Sequence, residues 1–333
     1  MQEALNDGGL CWVKGQGAVG KRERTPVVKR TGRIAALAAL VALTATGCSG
    51  DEVLRFGWPV GVTPQADQMR TLWTWTVIAA LVVGVIVWAL IFWTATFHRK
   101  KKNSAVEGPQ DLPRQFQYNI PLEIFTVVVP TIMVCVLFFF TATTENNVLD
   151  KKPDPDVTVD VVAFQWNWEF KYDDANAKRP DGSQVSTVGS SGEIPLLVLP
   201  TNKTIEYRLR STDVIHSFWV PEFHFKRDVM PDPEKNNQDN SFQNSIDREG
   251  SFVGRCAELC GTYHSVMNFE VRALSPDKYE QYLKLRTQTN PKTGQPTTAS
   301  EALTEMNCGE LCSPYAVTTK PFNTDRTART ASN

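Results

Sequence analysis

Cys256-Ala-Glu-Leu-Cys-Gly-Thr-Tyr-His-Ser-Val-Met267 is the stretch on which the reading of this 333-residue chain turns. Two thiols four positions apart, Cys256 and Cys260, are followed by the imidazole of His264 and the thioether of Met267. Sulfur donors are soft and suit Cu(I), imidazole suits copper in either oxidation state, and no cluster of hard oxygens accompanies them. The short spacing lets one loop present four donors at little ordering cost. A further imidazole, His216, lies forty residues upstream of Cys256 in the strand-like run Val214-Ile-His-Ser-Phe-Trp-Val220. Five such side chains exceed the needs of one tetrahedral ion and suit two coppers bridged by both sulfurs. A structural zinc site or a Cys256–Cys260 disulfide is the plainer alternative, which a lone Cys-x3-Cys would favour.

The whole constellation resembles subunit II of the haem-copper cytochrome c oxidases, over roughly Thr71 to Leu274. In that family a Cys-x-Glu-x-Cys-x3-His-x2-Met loop and an upstream His hold a two-copper centre, CuA. The resemblance implies that Cys256 and Cys260 bridge the coppers and that His216 and His264 each bind one. Met267 would be a weak ligand and Glu258 would contribute its backbone carbonyl. It also implies a cupredoxin-like Greek-key barrel, all β, behind a two-helix transmembrane hairpin, with the metal loop between the last two strands.

Two apolar runs support that architecture. Residues 71–97 and 124–144 contain no Asp, Glu, Lys or Arg. Stretches of ~20 apolar residues cross a bilayer as helices. Pro130 lies inside the second, where a kink is tolerable in a membrane. We therefore expect spanning helices over 71–97 and 123–144, joined by a cytoplasmic loop over 98–122. His98-Arg-Lys-Lys-Lys102 opens that loop. Residues 98–120 carry five Lys or Arg against two between Cys48 and the first span, and positive charge stays inside. The N-terminal segment 48–70 and everything after the second span then face outward.

Ahead of these runs, basic residues from Lys21 to Arg33 precede the apolar stretch Ile34 to Ala45 and the small residues Thr46-Gly47-Cys48. These are the parts of a secretory signal over 1–47. The Cys after Thr-Gly resembles a bacterial lipobox, with Cys48 as the lipidated mature N-terminus; an ordinary signal with an incidental Cys is the alternative. Residues 1–26 are long ahead of such a signal and suit a later translation start.

The outer part, 145–286, reads as short β-branched and aromatic runs between Gly, Pro, Asn and Asp clusters. These are 157–170, 193–199, 203–210, 214–220, 251–255 and 268–273, followed by a helix from Ser275-Pro-Asp-Lys278 to about Arg286. Two polar inserts, 173–192 and 232–244, read as surface loops, either partner contacts or plain solvated connections. The tail 287–333 is polar and reads as extended. Within it Cys308-Gly-Glu-Leu-Cys312 echoes the metal loop but has no His after it, which favours a disulfide on an oxidising face. Acidic residues outnumber basic ones by 27 to 21 over 145–333, a bias that can steer a basic partner. Nothing reads as a nucleic-acid site.

The family resemblance implies an electron relay for oxygen reduction coupled to proton pumping, as part of an oxidoreductase. Trp166, first Trp of Gln165-Trp-Asn-Trp168, would take up electrons above the copper centre, while Trp168 is a packing residue. The donor would be cytochrome c or, as in actinobacterial members, a cytochrome c domain of a cytochrome bc complex. Haem would reside only in partner subunit I, since no Cys-x-x-Cys-His occurs; subunit III would be a further partner. Glu258 would also help bind Mg or Mn at the subunit I boundary. Glu123, seven residues before Pro130, resembles a proton-uptake carboxylate, although Thr126 stands where the family usually has Trp; a charge that merely marks the helix end is the alternative. A quinol oxidase subunit would lack the copper ligands, a copper chaperone would not need Trp166 or the helix pair, and nitrous oxide reductase would carry a His-rich propeller.

Overall fold

The computed structural model describes residues 55–99, 116–190 and 192–319. The expected signal region, Cys48 and most of the basic loop lie outside the described residues.

Helix α1 runs Pro64–Phe97 and helix α2 Ile120–Leu149. Both begin earlier than the apolar runs because polar start signals precede them. Thr63 caps α1 through its Oγ1, which accepts from Ala66 N at 3.0 Å, and Pro64 occupies the first turn. Asn119 caps α2, with Pro121 in the first turn. Pro tolerates that place because its missing N–H would be unpaired there anyway. α2 also continues to Leu149, five residues past the expected end. At ~1.5 Å per residue either helix exceeds the ~30 Å hydrocarbon core. Val85, Leu90, Val127 and Phe138 are each at least 60% exposed in the chain alone. Such faces suit lipid or neighbouring helices rather than water. The chain is built as a two-span membrane protein.

Among the described residues after α2, two five-stranded sheets pack face to face. One is ordered β3-β2-β1-β5-β8, the other β4-β10-β9-β6-β7. The strands are β1 Val157–Phe164, β2 Asn167–Tyr172, β3 Ser186–Val188, β4 Leu196–Pro200 and β5 Ile205–Ser211. They continue as β6 His216–Val220, β7 Phe225–Val229, β8 Ser241–Asn244, β9 Gly250–Cys256 and β10 Asn268–Leu274. Pairs β1–β5 and β4–β10 are parallel and the other pairs antiparallel. β1 alternates buried and half-buried residues along its whole length, the period-two pattern of a strand with one face on a core. Trp168, Phe170, Tyr207, Phe218, Phe223 and Phe269 fill the space between the sheets, each at most 1% exposed. This is a cupredoxin-like domain.

Three expectations are corrected. Residues 157–170 form a hairpin rather than one strand: Phe164 pairs with Asn167, leaving Gln165 and Trp166 at the tip. The polar inserts are partly folded, since β3 pairs with β2 and β8 with β5; short polar edge strands gain backbone pairing without a large apolar face. The tail is not extended up to residue 319. Helix α3, Pro276–Arg286, is followed by α4, Ala299–Met306, which buries Ala299, Ala302 and Leu303 and starts with a Thr298/Glu301 capping box.

The tail then crosses β10. Arg272 and Glu270 form an ion pair whose side chains are both 0% exposed. Arg272 donates to the carbonyls of Leu311, Ser313 and Tyr315, and Glu270 accepts from Val317 N, Thr318 N and Thr318 Oγ1. A buried pair is tolerable when its remaining polar atoms are also satisfied. Cys308 and Cys312 are joined as a disulfide just before this crossing.

Candidate metal centre

Strand direction gathers the donors. β6 starts at His216 and β9 ends at Cys256, and the two are antiparallel with Phe218 opposite Cys256. Their ligand-bearing ends therefore coincide. β10 starts at Asn268, directly after Met267, so the loop 257–267 leaves and re-enters the same end of the sheet.

Cys256 Sγ lies 3.8 Å from Cys260 Sγ and 3.9 Å from His216 Nδ1. Cys260 Sγ lies 3.6 Å from His264 Nδ1 and 3.8 Å from Met267 Sδ. The carbonyl of Glu258 faces Cys256 Sγ at 3.3 Å. The two sulfurs are not bonded to each other, and with His216 they offer ligand atoms all within 4.8 Å of one another. His216 and Met267 are fully buried, Cys260 is 3% and Cys256 8% exposed; His264 and Glu258 are half-buried.

The electrostatics call for a cation. Burial opposes a thiolate at Cys256, yet hydrogen bonds from His216 and the backbone outweigh it and bring this thiol down to about 7. Burial and the neighbouring Cys256 push Cys260 up to about 12. Two thiols this close oppose each other's ionisation, and a positive charge beside them relieves that. A soft metal supplies that charge, so the donor set fits copper.

Asp213 joins the site although no ligand motif in the sequence includes it. Its Oδ1 lies 2.8 Å from His216 Nε2, and its Oδ2 accepts from Gln165 N at 2.7 Å. A carboxylate on the far nitrogen sets the imidazole's tautomer and leaves Nδ1 for a metal. The signal was present as Asp-Val-Ile-His, a carboxylate three residues before the ligand. Burial lowers the His216 pKa, but Cys256 and Asp213 together raise it above its ordinary value.

Trp166 is half-buried against the loop, its Nε1 donating to the Cys260 carbonyl at 3.0 Å. Trp168 is fully buried and donates to the Met267 carbonyl at 3.2 Å. Glu123 is remote from the metal site, at the first turn of α2, where its Oε1 accepts from Asn119 N at 3.0 Å.

Fold and site together define a membrane-anchored cupredoxin-like metal domain. The sequence profile described as "Cytochrome C oxidase subunit II, periplasmic domain" matches residues 157–274. A probable cytochrome c oxidase subunit 2 of Nocardia farcinica is 49% identical, over 92% of this chain and 93% of its own. Cytochrome c oxidase subunit 2 of Mycobacterium tuberculosis is 44% identical, over 88% and 89% respectively. The solved periplasmic domain of cytochrome oxidase subunit II of Bradyrhizobium japonicum aligns at 27% identity and a TM-score of 0.34, covering 40% of this chain and 94% of that one. The chain belongs to the cytochrome c oxidase subunit II family. It is thus a subunit of an oxidoreductase, works with other oxidase subunits, and carries a domain whose family implies copper.

Proposed function

We propose that this chain is the electron-accepting subunit of a terminal cytochrome c oxidase. In this reading it holds two copper ions, CuA, through His216, Cys256, Cys260, His264, Met267 and the carbonyl of Glu258. The observation that carries it is the convergence of these donors at one end of a sheet, around two unbonded sulfurs 3.8 Å apart. Held by these residues, two coppers would supply a one-electron carrier whose charge change spreads over many atoms and needs little rearrangement.

The chain's own residues do the rest. His216, Cys260 and Met267 exclude water from the centre, and Asp213 holds the His216 ring. Five side chains and a carbonyl would leave no open position for a substrate, which separates a carrier from a catalytic metal. Trp166 is the point where electrons arrive from cytochrome c, or from a cytochrome c domain of a cytochrome bc complex. They leave for haem in subunit I, where oxygen is reduced to water and protons are pumped; subunit III completes the set of partners. The Glu258 side chain helps hold Mg or Mn at the subunit I boundary, and Glu123 serves proton uptake. The metal domain and a lipidated Cys48 lie on the outer face of the cell membrane.

Replacing Cys256 or Cys260 with Ser tests this, because a bridge needs two soft thiolates. The oxidase assembled with either variant should lose the copper pair and stop oxidising cytochrome c. Retained copper stoichiometry with normal turnover would overturn the reading.

A further inference from the structure

The hairpin tip at Gln165-Trp166 is tied to the metal loop on several sides. The Cys260 carbonyl accepts two hydrogen bonds, from Trp166 Nε1 at 3.0 Å and from Gln165 Nε2 at 2.8 Å. The backbone N–H of Gln165 donates to Asp213 Oδ2 at 2.7 Å, while the other oxygen of that carboxylate faces His216 Nε2 at 2.8 Å. Gly261 follows Cys260 with φ +119°, and a Cβ there would stand 3.1 Å from the indole and 3.3 Å from Gln165 Nε2. The positive φ and the close approach both call for glycine. Tyr263 meets the indole edge-on, with ring centroids 5.0 Å apart.

An indole has one N–H donor and can pivot about a single hydrogen bond. A second donor on the same carbonyl, from the adjacent residue, restricts that freedom, because two neighbouring side chains then fix the hairpin tip to one backbone atom. The carboxylate behind the Gln165 backbone anchors the tip, and charge-assisted hydrogen bonds are the stronger kind. Gln165 itself is exposed. It has no core to fill, and its amide serves the loop.

We propose that Gln165, anchored by Asp213, is a positioning residue that locks the Trp166 indole onto the Cys260 carbonyl. The functional consequence rests on the reading of Trp166 given above. The indole is held by an N–H bond to the backbone of Cys260, and a glutamine outside the ligand set governs how often that contact is made. Electron uptake then depends on Gln165 through geometry, not through docking.

The test uses the full-length, copper-free chain in detergent, with 15N-labelled indoles. Trp166→Phe assigns the Trp166 indole N–H resonance, and the remaining indole resonances report whether each variant is folded. In Gln165→Leu the Trp166 resonance should move and its exchange with solvent should quicken roughly fivefold, the factor for one ordinary hydrogen bond. In the assembled oxidase the same variant should keep its copper and lower kcat for cytochrome c oxidation at unchanged KM. An unmoved Trp166 resonance in folded Gln165→Leu overturns the proposal. So does a raised KM at unchanged kcat, which would make Gln165 a docking contact. If the resonance responds as expected but Trp166→Phe leaves turnover unchanged, the positioning role stands and the assignment of Trp166 as electron acceptor fails.

Discussion

Asp213 Oδ1 stands 2.8 Å from Nε2 of His216, a fully buried imidazole whose other nitrogen faces Cys256 Sγ. The ligand ring is therefore held from behind by a carboxylate that is itself tied to the Gln165 backbone. One acidic side chain couples a β6 ligand to the hairpin that carries Trp166.

Asp213→Ala should weaken copper retention by ~10–100-fold, the usual cost of losing the carboxylate behind a ligating histidine. Copper affinity by competition with a chelator measures it. An unchanged affinity would mean that packing alone sets the His216 ring.

Glu270→Gln should loosen the tail. It leaves Arg272 buried without a counter-charge, a change that typically costs ~3–5 kcal/mol. Limited proteolysis should then cut between Met306 and Thr319 under conditions where the parent chain resists. Equal protection in both would show that the tail is held by α4 rather than by the ion pair.

Glu222 carries a pH dependence. Burial raises its carboxyl above the ordinary 4.5, with Arg255, Arg248 and His224 acting in the opposite direction, and its Oε2 has no hydrogen-bond partner among the described residues. The folded chain holds this proton more tightly than the unfolded chain. Its contribution is fully present below pH 4.5 and declines as pH rises through the higher folded value. Glu222→Gln should therefore raise the melting temperature at pH 7, by ~2–4 °C for each kcal/mol relieved, and flatten the profile above pH 4.5. A lower melting temperature at pH 7 would show that the ionised carboxylate stabilises the chain.

Glu123→Gln separates two roles. Glutamine can also accept from a cap backbone N–H, so α2 should keep its start while the charge disappears. Oxygen reduction should slow, with copper content and the first electron transfer from cytochrome c intact. Unchanged turnover across a broad pH range would leave Glu123 as a helix cap only.

What could be read from the sequence was chemistry concentrated in a short run. Cys256, Cys260, His264 and Met267 lie within twelve residues, and the two spans are uncharged stretches, so both stood out without a fold. Asp213 did not, because one aspartate before a strand has many uses until its partner's ring is located. The β1–β2 hairpin was hidden because its tip is Gln-Trp, with none of the Asn-Gly or Gly residues that mark tight turns. The sequence of the tail hides its attachment, which uses a charged pair on β10 and backbone carbonyls. In composition Glu270 and Arg272 look solvent-facing; in the structure both are buried.

The most direct test of the central claim is the near-infrared and electron paramagnetic resonance spectrum of the copper-loaded full-length chain, read together with its copper content. The account predicts two coppers per chain and a mixed-valence signal with one unpaired electron shared between them, abolished by Cys256→Ser, Cys260→Ser or His216→Ala. One metal per chain without mixed valence, or a mixed-valence signal that survives in Cys256→Ser, would contradict it.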